Sequence, residues 1–369
     1  MSQEITAPDS VQELVDLVKS HSSIVACGGG SKTSLFQSDD STTILDTRKI
    51  SGIVEYQPSE YVITAAAGTT LSEVIEALKA NGQYLPFDPP LASEGATLGG
   101  TLAAGLSGPG AYRYGPIKDF IIGVRFIDGL GNQVRGGGKV VKNAAGFDFP
   151  KLFNGSMGRL GILTELSFKV FPEPQAYVTL QTPIESFDEA ARILPSLKGF
   201  DLEGVELSSE LMLSLRLGYQ EPTMNSRKKG LESLTGKPLE ITLGEQEPQV
   251  WQQIKSFSWL NSENKLFKTA TTPESAFNLL RDLDPLIWRT YLTNGGKTLY
   301  LGCEVSTDTD LLDSTLTEHN LTGLQLRGPV KSCPLIGKRS GLNFIERIQS
   351  ALDPKGVFLP FSHSTQVPA

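Results

Sequence analysis

The sequence predicts an α+β protein in which a two-lobed α/β domain fills the N-terminal half and a second, smaller α+β domain follows. Amphipathic helical segments alternate with short strands up to Gly82, and glycine is then concentrated between residues 91 and 161. The glycine density falls after Pro174, where ordinary helix and strand patterns begin. A chain of 369 residues is too long for one compact core and fits two domains, or one domain with a large insertion. We expect a domain boundary near residues 171–174.

The elements can be predicted in order along the chain. A first helix is expected at residues 10–19, where the Ser10 hydroxyl can accept a hydrogen bond from a free N–H group of the first turn. A second helix carries Leu71 and Val74 on its apolar face and stops at residues 81–82, an Asn-Gly pair. Beyond the boundary we expect a helix within residues 187–197. Strands are expected at residues 24–27, 44–46, 53–56, 61–66, 162–170 and 299–305.

The composition, 39% hydrophobic and 20% charged, is that of a soluble globular protein. The formal net charge of −8 argues against a general nucleic-acid binder, because phosphate binding needs a basic surface and the longest Lys/Arg cluster is residues 227–229. No stretch approaches the roughly 20 apolar residues of a membrane span. The first residues contain neither a basic region nor an apolar run. We therefore expect a cytoplasmic protein without a membrane span.

Cysteine and histidine are too few and too scattered for a disulfide framework or a metal site. The cysteines are Cys27, Cys303 and Cys333, and no Cys-x-x-Cys pair exists. The three histidines are equally far apart. We therefore expect no bound metal, so any redox chemistry would need an organic cofactor or a partner protein.

Residues 28–33, with the sequence Gly-Gly-Gly-Ser-Lys-Thr, directly follow a predicted strand. Consecutive glycines let backbone N–H groups point inward as an anion-binding nest, which suits a pyrophosphate. The run differs from a Rossmann fingerprint because Thr33 occupies the third glycine position, and it also lacks the Walker pattern. A flexible turn is the alternative interpretation.

Two further segments are rich in small residues. One covers residues 96–105 and continues through residues 107–116; the other covers residues 138–148 and 152–164. Small side chains either pack a helix against a sheet or let an extended ligand lie against the backbone. Composition alone leaves both interpretations open.

In this order and spacing, the three segments resemble the FAD-binding domain of the vanillyl-alcohol oxidase (PCMH-type) superfamily. Within it, the chain is most similar to the FAD-binding subunits of bacterial glycolate oxidase, also called glycolate dehydrogenase. The resemblance covers residues 10–175 and returns at residues 345–358. It implies a PCMH-type FAD-binding domain at residues 1–175 and a cap domain for substrate or a partner at residues 176–335. Residues 336–369 would pack back on the FAD-binding domain.

The resemblance also implies which residues contact FAD. The pyrophosphate would be held by main-chain amides of the glycine loop, which consists of Gly28, Gly29, Gly30, Ser31, Lys32 and Thr33. The other side of the phosphates would be lined by Thr97, Leu98, Gly99 and Gly100. The residues nearer the flavin would be Ser107, Gly108 and Tyr114, and those against the adenosine half would be Gly158, Gly161 and Ile162.

The chain departs from its relatives at three places. Cys27 stands where many relatives have Arg before the glycines. No His lies in or just after the first loop, where members that attach FAD covalently commonly carry one, so we expect dissociable FAD. The His-rich C-terminal metal site of the full-length catalytic relatives has no counterpart. Catalytic residues are therefore not identified, and catalysis by this chain alone is in question.

The resemblance implies an FAD-dependent oxidoreductase subunit of a glycolate or D-2-hydroxy-acid oxidase or dehydrogenase complex, whose flavin accepts a hydride from the substrate α-carbon. The expected partners are a small 2-hydroxy acid, a larger flavoprotein subunit and an iron–sulfur subunit. The alternative is a non-catalytic FAD-binding electron-relay or assembly subunit of the same complex. A third interpretation is a UDP-sugar enolpyruvyl reductase. Such reductases share the flavin fold and a similar glycine loop, but this chain shows no match to their catalytic domain.

A few single residues invite mechanistic interpretation. Arg113 is a candidate for orienting a substrate carboxylate, or for bonding carbonyls or the cofactor. Lys142 is a candidate for the flavin N1–C2=O edge, with a surface salt bridge as the alternative. We expect Asp148 to cap a turn. The core of the second domain is expected to contain Trp251, Trp259 and Trp288.

We predict that acid or heat precipitation of the purified yellow protein leaves the flavin in the supernatant, because no His flanks the first loop. The measurement is flavin absorbance in the supernatant and in-gel fluorescence of the denatured band. Fluorescence that stays with the band would show a covalent link.

Overall fold

Short strands and helices follow one another along the chain. The computed structural model describes residues 5–138, 147–331 and 333–361. Its helices are α1 (Val11–Ser20), α2 (Leu71–Lys79), α3 (Leu98–Ala103), α4 (Ala111–Tyr114), α5 (Phe149–Leu152), α6 (Phe187–Ile193), α7 (Glu221–Thr235), α8 (Glu247–Lys255), α9 (Pro273–Asp282), α10 (Asp310–Glu318) and α11 (Leu342–Leu352). Its strands are β1 (Ile5–Thr6), β2 (Ile24–Cys27), β3 (Thr43–Asp46), β4 (Ile53–Gln57), β5 (Val62–Ala66), β6 (Gln83–Tyr84), β7 (Ile121–Ile127), β8 (Gln133–Gly137), β9 (Ile162–Lys169), β10 (Phe171–Pro172), β11 (Tyr177–Pro183), β12 (Gly204–Ser208), β13 (Met212–Gly218), β14 (Glu240–Thr242), β15 (Lys265–Ala270), β16 (Arg289–Thr293), β17 (Thr298–Cys303), β18 (Thr322–Arg327) and β19 (Leu335–Gly337).

The first lobe is a small parallel sheet in the order β1-β3-β2, packed against α1. Ser10 caps α1 as predicted, since its hydroxyl accepts a hydrogen bond from the Glu13 N–H group at 3.2 Å. The helix buries Leu14 and Val18 in a cluster that also contains Ile24 of β2. The buried residues of β2 are at its start, and the strand is half-buried at its carboxyl end, where the glycine loop follows.

The second lobe is a five-stranded antiparallel sheet in the order β4-β5-β9-β7-β8. Its core contains Ile63, Phe126 and Phe168, all fully buried together with Leu71 of α2 and Leu102 of α3. The predicted strands and both amphipathic helices of this half therefore form. A cleft remains between the two lobes, and it is bordered by the glycine loop, the start of α3 and the start of β9.

The third sheet has nine strands in the order β14-β11-β13-β12-β16-β17-β15-β18-β19, with antiparallel neighbours. Leu207, Leu292 and Leu299 share one face, because they are opposite one another across β12, β16 and β17. Helices α6, α7, α9 and α10 cover this apolar face. The opposite face carries polar and aromatic side chains and packs toward the lobes, where Tyr291 and Tyr300 join the same cluster as the second-lobe core.

Hydrogen bonds from strands β18 and β15 connect the nine-stranded sheet to the lobes. At the end of β18, the Gly328 carbonyl accepts hydrogen bonds from the Ser34 hydroxyl at 2.7 Å and from the Gln37 side chain at 3.0 Å. In the middle of β15, the Lys268 ammonium donates to the Gly105 carbonyl. These bonds link the nine-stranded sheet both to the glycine loop and to the small-residue segment after α3.

The C-terminal segment returns to the first lobe. The Ile24 N–H group donates to the Val357 carbonyl at 2.8 Å, which adds the chain after α11 to the edge of β2. The buried Asp353 carboxylate accepts from the N–H groups of Val357 at 2.9 Å and Phe358 at 2.7 Å. The two ends of the described chain therefore stabilise one another at the strand that precedes the glycine loop.

The helix expected within residues 187–197 is shorter than predicted as an α-helix. It begins at its Ser186 cap, where the hydroxyl accepts from Glu189 N–H, and it ends at Ile193. A 3₁₀ segment, Leu194–Phe200, continues it. Pro195 explains the change, because proline has no N–H group to donate to the carbonyl four residues earlier.

We predict that Phe267→Ala lowers the free energy of unfolding by about 3–5 kcal/mol, because the ring is fully buried and packs edge-on against Trp288. Urea unfolding followed by tryptophan fluorescence measures the loss. Leu286→Ala is the control, since the Leu286 side chain is 93% exposed. Equal effects of the two substitutions would contradict the placement of Phe267.

Candidate functional site

The cleft between the two lobes contains a cavity with about 680 Å³ of empty space, part of it open to solvent. All three glycine-rich segments contribute to its wall, although they are far apart in the sequence. Of the predicted contacts, those that line it are Gly28, Gly29, Gly30, Ser31, Lys32, Thr97, Gly99, Gly100, Gly158, Gly161 and Ile162. The cavity is also lined by Cys27 and by residues that no sequence pattern indicated, namely Ala26, Leu35, Phe36, Thr47, Ala67, Ala103, Met157 and Leu163.

The glycine loop presents backbone N–H groups to this cavity. Gly30 has a φ of +70°, in the left-handed region, and a Cβ built on it would meet nothing within 4 Å. Among the described residues, the N–H groups of Gly29 and Ser31 donate to no backbone carbonyl. Unpaired N–H groups around a left-handed turn can bind an anion, as the sequence predicted for a nest.

The first two glycines have a different role, because they let the backbone of the loop approach the neighbouring segment closely. A Cβ on Gly28 would lie 2.3 Å from the Thr97 hydroxyl oxygen, and a Cβ on Gly29 would lie 1.7 Å from the Gly95 carbonyl oxygen. No real side chain tolerates such distances, so only glycine lets the loop touch the segment before α3. This contact closes one end of the cavity.

The start of α3 forms the opposite wall. The Thr97 hydroxyl caps the helix by accepting from Gly100 N–H at 3.2 Å, and the Gly99 N–H group donates to the Ala67 carbonyl at 2.8 Å. The Leu98 N–H group is also used, by the Thr69 carbonyl. This wall therefore offers close backbone approach to a ligand, whereas the free N–H donors come from the glycine loop.

Lys32 places a buried positive charge at the cavity. The residue is 7% exposed, and its ammonium donates to the Ser31 hydroxyl at 3.0 Å but forms no salt bridge with another described residue. Burial lowers the pKa of Lys32 to about 8, and the nearby Arg327 guanidinium acts in the same direction. A buried cation without a counter-ion is costly, so the site is electrostatically suited to a bound anion.

Arg327 is a residue that sequence reasoning missed. It lies on β18, is 8% exposed, and likewise forms no salt bridge within the described part of the chain. The hydrogen bonds of Ser34 and Gln37 to Gly328 hold this end of β18 against the glycine loop. No local motif marks Arg327, because nearly 300 residues separate it from the loop that it approaches.

The third segment lines the cavity where β9 begins. Met157 and Gly158 have φ angles of +54° and +73°, so the chain turns sharply before β9. Gly161 lies where a Cβ would be 2.8 Å from the Ile127 carbonyl oxygen. These backbone features bring Ile162, the first residue of β9, to the cavity wall.

The remaining predicted contacts lie outside this cavity. The Thr33 hydroxyl accepts from Gly328 N–H at 3.2 Å, and Leu98 is fully buried in the second-lobe core. Ser107 and Gly108 line a separate, smaller cavity beneath the nine-stranded sheet. The Tyr114 hydroxyl donates to Glu203 at 3.3 Å.

Arg113 and Asp148, which the sequence singled out as candidates for individual roles, each have definite partners in the structure. Arg113 forms salt bridges with Asp201 at 2.7 Å and Glu203 at 3.1 Å, so its guanidinium is already paired. Asp148 caps α5 as predicted, by accepting from Lys151 N–H. Lys142 lies outside the described residues.

The tryptophans only partly follow the prediction that they fill the core of the second domain. Trp288 is 4% exposed in the apolar core of the nine-stranded sheet, and Trp251 is 1% exposed. Trp251 donates from its indole N–H to the Thr179 hydroxyl at 2.7 Å. Trp259 is only partly buried and packs against the cluster shared with the lobes. The ring of Tyr291, which belongs to the sheet, stacks on the Trp259 ring, and this contact explains why Trp259 lies outside the apolar core.

The described residues lack the features of a metal site and of a membrane-spanning helix. They contain no group of three or more His, Cys, Asp or Glu side chains placed to hold a metal ion. None of their helices is both long enough and apolar enough to span a bilayer. His21 contacts the Leu17 carbonyl and His319 pairs with Asp282, so both describable histidines have partners.

Residues 3–137 match the model of the FAD binding domain family. The chain is 37% identical over 246 residues to the glycolate oxidase subunit GlcE of Escherichia coli, an alignment that covers 66% of this chain and 67% of that protein. The chain belongs to the family of this subunit. An FAD-binding domain is thus present in its N-terminal part, and FAD is its cofactor.

Other relatives share a smaller part of their length. The glycolate oxidase subunit GlcD of Bacillus subtilis is 30% identical over 50% of this chain and 37% of its own length. A D-lactate dehydrogenase of Anaerostipes hadrus is 28% identical over 52% of this chain and 40% of its own length. A solved alkyldihydroxyacetonephosphate synthase superposes with a TM-score of 0.67 at 16% identity, covering 96% of this chain and 76% of that one. The last likeness shows that nearly the whole chain shares the fold of that enzyme.

We predict that Gly30→Val abolishes FAD retention during purification, because a β-branched side chain would enter the cavity and resist a φ of +70°. The flavin-to-protein absorbance ratio measures the loss. Gly236→Val is the matched control, since Gly236 has a φ of +69° and open space around it but lies outside this cavity. Full retention in the Gly30 variant would show that the loop is only a turn.

Proposed function

We propose that this chain is the FAD-binding subunit of an enzyme that oxidises glycolate or a related D-2-hydroxy acid. The observation that carries the proposal is the inter-lobe cavity, whose free N–H groups and unpaired Lys32 ammonium suit a diphosphate. The relatives named as glycolate oxidase subunits and a D-lactate dehydrogenase supply the substrate class.

The residues around the cavity suggest how FAD would be held. In this proposal the N–H groups of the glycine loop and the Lys32 ammonium bind the pyrophosphate, and the start of α3 lies against its other side. The segment from Met157 to Ile162 would contact the adenosine half. Ser107, Gly108 and Tyr114 would lie toward the flavin. The fit rests on this chain's own features, namely unpaired amides, a buried cation and glycines at which a Cβ would collide.

Bound FAD supplies the redox chemistry, accepting two electrons as a hydride from the substrate α-carbon. The protein's contribution is binding, orientation and exclusion of water. Lys32 and Arg327 are both buried beside the cavity, so they provide positive charge where solvent is largely excluded. Positive charge in such a place counters the negative charge of the phosphates more strongly than it would in water.

Electrons must leave after each oxidation, and we propose that they leave to partner proteins. The described cysteines, Cys27, Cys303 and Cys333, are each free and belong to no metal-binding group within the described residues. A larger flavoprotein and an iron–sulfur subunit are the partners we propose. The word "subunit" in the names of two relatives supports a multi-subunit complex.

The division of labour between domains is part of the proposal. We assign residues 1–175 to FAD binding, residues 176–335 to a cap domain, and residues 336–369 to a segment that completes the first lobe. Sheet membership supports this division, because the nine-stranded sheet begins at Tyr177 and ends at Gly337. We also propose that the protein acts in the cytoplasm.

The alternative is a non-catalytic FAD-binding relay or assembly subunit of the same complex. One observation favours it: the Arg113 guanidinium, a candidate for substrate carboxylate binding, is occupied by Asp201 and Glu203. Steady-state turnover of the FAD-loaded chain with glycolate or D-lactate distinguishes the two.

We predict that the isolated chain shows little glycolate- or D-lactate-dependent dye reduction, and that adding the flavoprotein and iron–sulfur subunits raises the rate many-fold. The physical reason is that the Arg113 guanidinium, the candidate for substrate carboxylate binding, is already paired with Asp201 and Glu203. In addition, the described residues contain no group of ligands for an iron–sulfur cluster. Dye reduction with each combination of subunits is the measurement. Full activity of this polypeptide alone would contradict the need for partners and leave the flavin assignment intact.

A further inference from the structure

A groove separate from the proposed FAD cavity lies between the second lobe and the nine-stranded sheet. The room inside it is about 500 Å³, within the roughly 300–1,000 Å³ of small-molecule pockets, and it is partly open to solvent. One wall is formed by α2 and the segment before α3, and the other by α8 and the strands β11 and β13. None of its lining residues is among the predicted FAD contacts. Ligand pockets occur preferentially where two domains meet, as this groove does.

Arg216 supplies a fixed hydrogen-bond donor to this groove. Its Nε and Nη2 atoms donate to the two carboxylate oxygens of Glu247 at 2.9 and 3.0 Å, and its guanidinium carbon lies 3.8 Å from the centroid of the Tyr177 ring. The remaining nitrogen, Nη1, makes no hydrogen bond within the described residues, since an Asp88 oxygen lies 3.9 Å away. This nitrogen is not sealed from solvent, so a ligand in the groove can reach it.

Glu203 supplies an acceptor beside that donor. Its N–H group donates to the Arg216 carbonyl at 2.7 Å, which places the two residues next to each other in the sheet. Its Oε1 atom accepts from the Tyr114 hydroxyl at 3.3 Å and lies 3.1 Å from the Arg113 guanidinium. Its Oε2 atom makes no hydrogen bond within the described part of the chain and is not sealed from solvent, although the side chain is only 8% exposed. A buried carboxylate thus presents one free oxygen to the groove.

The charges around these free atoms are already balanced. Arg216 pairs with Glu247 at 2.9 Å, Lys255 pairs with Asp88 at 2.6 Å, and Glu203 pairs with Arg113. An ionic ligand would have to compete with a partner that is in place at each of these residues. The other charged lining residues are exposed and solvated by water, namely Glu76, Lys79 and Glu173.

The groups that remain free select for a hydroxyl. An Arg side chain binds a carboxylate best through two parallel N–H bonds, and Glu247 already uses that fork of Arg216. A hydroxyl can donate to Glu203 and accept from Arg216 or Lys255 at the same time, whereas an ammonium only donates and a carboxylate only accepts. Apolar and aromatic side chains complete the walls, among them Ile75, Leu85 and Tyr84.

We propose that this groove binds a neutral polyhydroxylated molecule, such as a sugar, at a site separate from that of FAD. Hydroxyls of the ligand bridge the free oxygen of Glu203 to the free N–H groups of Arg216 and Lys255. The C–H surface of the ligand packs on the apolar walls. Because the groove is lined by both the second lobe and the nine-stranded sheet, the bound ligand contacts both.

The experiment uses the full chain and saturation-transfer difference NMR. The hydroxylated probes are glycerol, D-ribose, D-glucose and sucrose, and the ionic probes are acetate and methylammonium. The dependence of the saturation transfer on probe concentration gives the affinity. Flavin absorbance reports the FAD content of every sample, so that loss of the cofactor is distinguished from loss of this site.

Two variants and a matched control test the location. Gln252→Trp places a large side chain in the groove from an exposed position on α8, so it is expected to abolish the transfer. Gln253→Trp is the control, since Gln253 is the next residue of the same helix and is also exposed, but lies outside this groove. Lys255→Met removes one donor and is expected to weaken the affinity about tenfold, the effect of losing one hydrogen bond to a charged group.

We expect saturation transfer to at least one hydroxylated probe in the wild type and in Gln253→Trp. No transfer to any of the four would overturn the inference and leave the proposed function standing. Tighter binding of acetate or methylammonium than of every hydroxylated probe would show that the groove selects an ion, which also overturns it. Transfer that persists in Gln252→Trp would place the binding elsewhere on the chain.

Discussion

The close approach of Gly28 and Gly29 to residues 95–97 is the constraint on which the cofactor site depends. It places the end of the first lobe's sheet against the start of α3, with distances that exclude any Cβ at either glycine. The contact leaves Gly30 facing open space and carries Lys32 into the interior beside α3. The anion-binding character of the cavity therefore follows from backbone packing. In the pyrophosphate site that we propose, glycine is needed first for contact with the protein and only then for contact with the ligand.

The two faces of the nine-stranded sheet contribute differently to stability and to function. Its apolar face buries leucines under four helices, which supplies the hydrophobic stabilisation of this half of the chain. Its other face retains Glu206, Tyr300, Lys268 and Arg327, several of them without ion-pair partners in the described structure. Unpaired buried groups reduce stability. Their concentration on the one face that meets the FAD-binding lobes is consistent with a face that binds ligands.

The nine-stranded sheet meets the lobes through two buried cations. Strand β18 brings Arg327 to the glycine loop, and neighbouring β15 brings Lys268 to the Gly105 carbonyl. The C-terminal segment supports the same arrangement by bonding to β2, the strand from which the glycine loop leaves.

The sequence by itself determined the local features. Helix α1 with its Ser10 cap, strand β2, the α2 stripe and the Asp148 cap each depend on residues within one or two turns, so periodicity and capping rules suffice to predict them. The glycine segments indicated backbone approach to a ligand because glycine density is itself a local signal. Only the tertiary structure decided which of those residues share a cavity, since Leu98 turns into the core and Thr33 bonds to Gly328. It also brought in Arg327, and it placed Glu203, Arg216 and Lys255 around one groove, although no motif distinguishes these residues. Their positions arise from contacts between segments up to 294 residues apart, and the sequence alone carries no signal for such contacts.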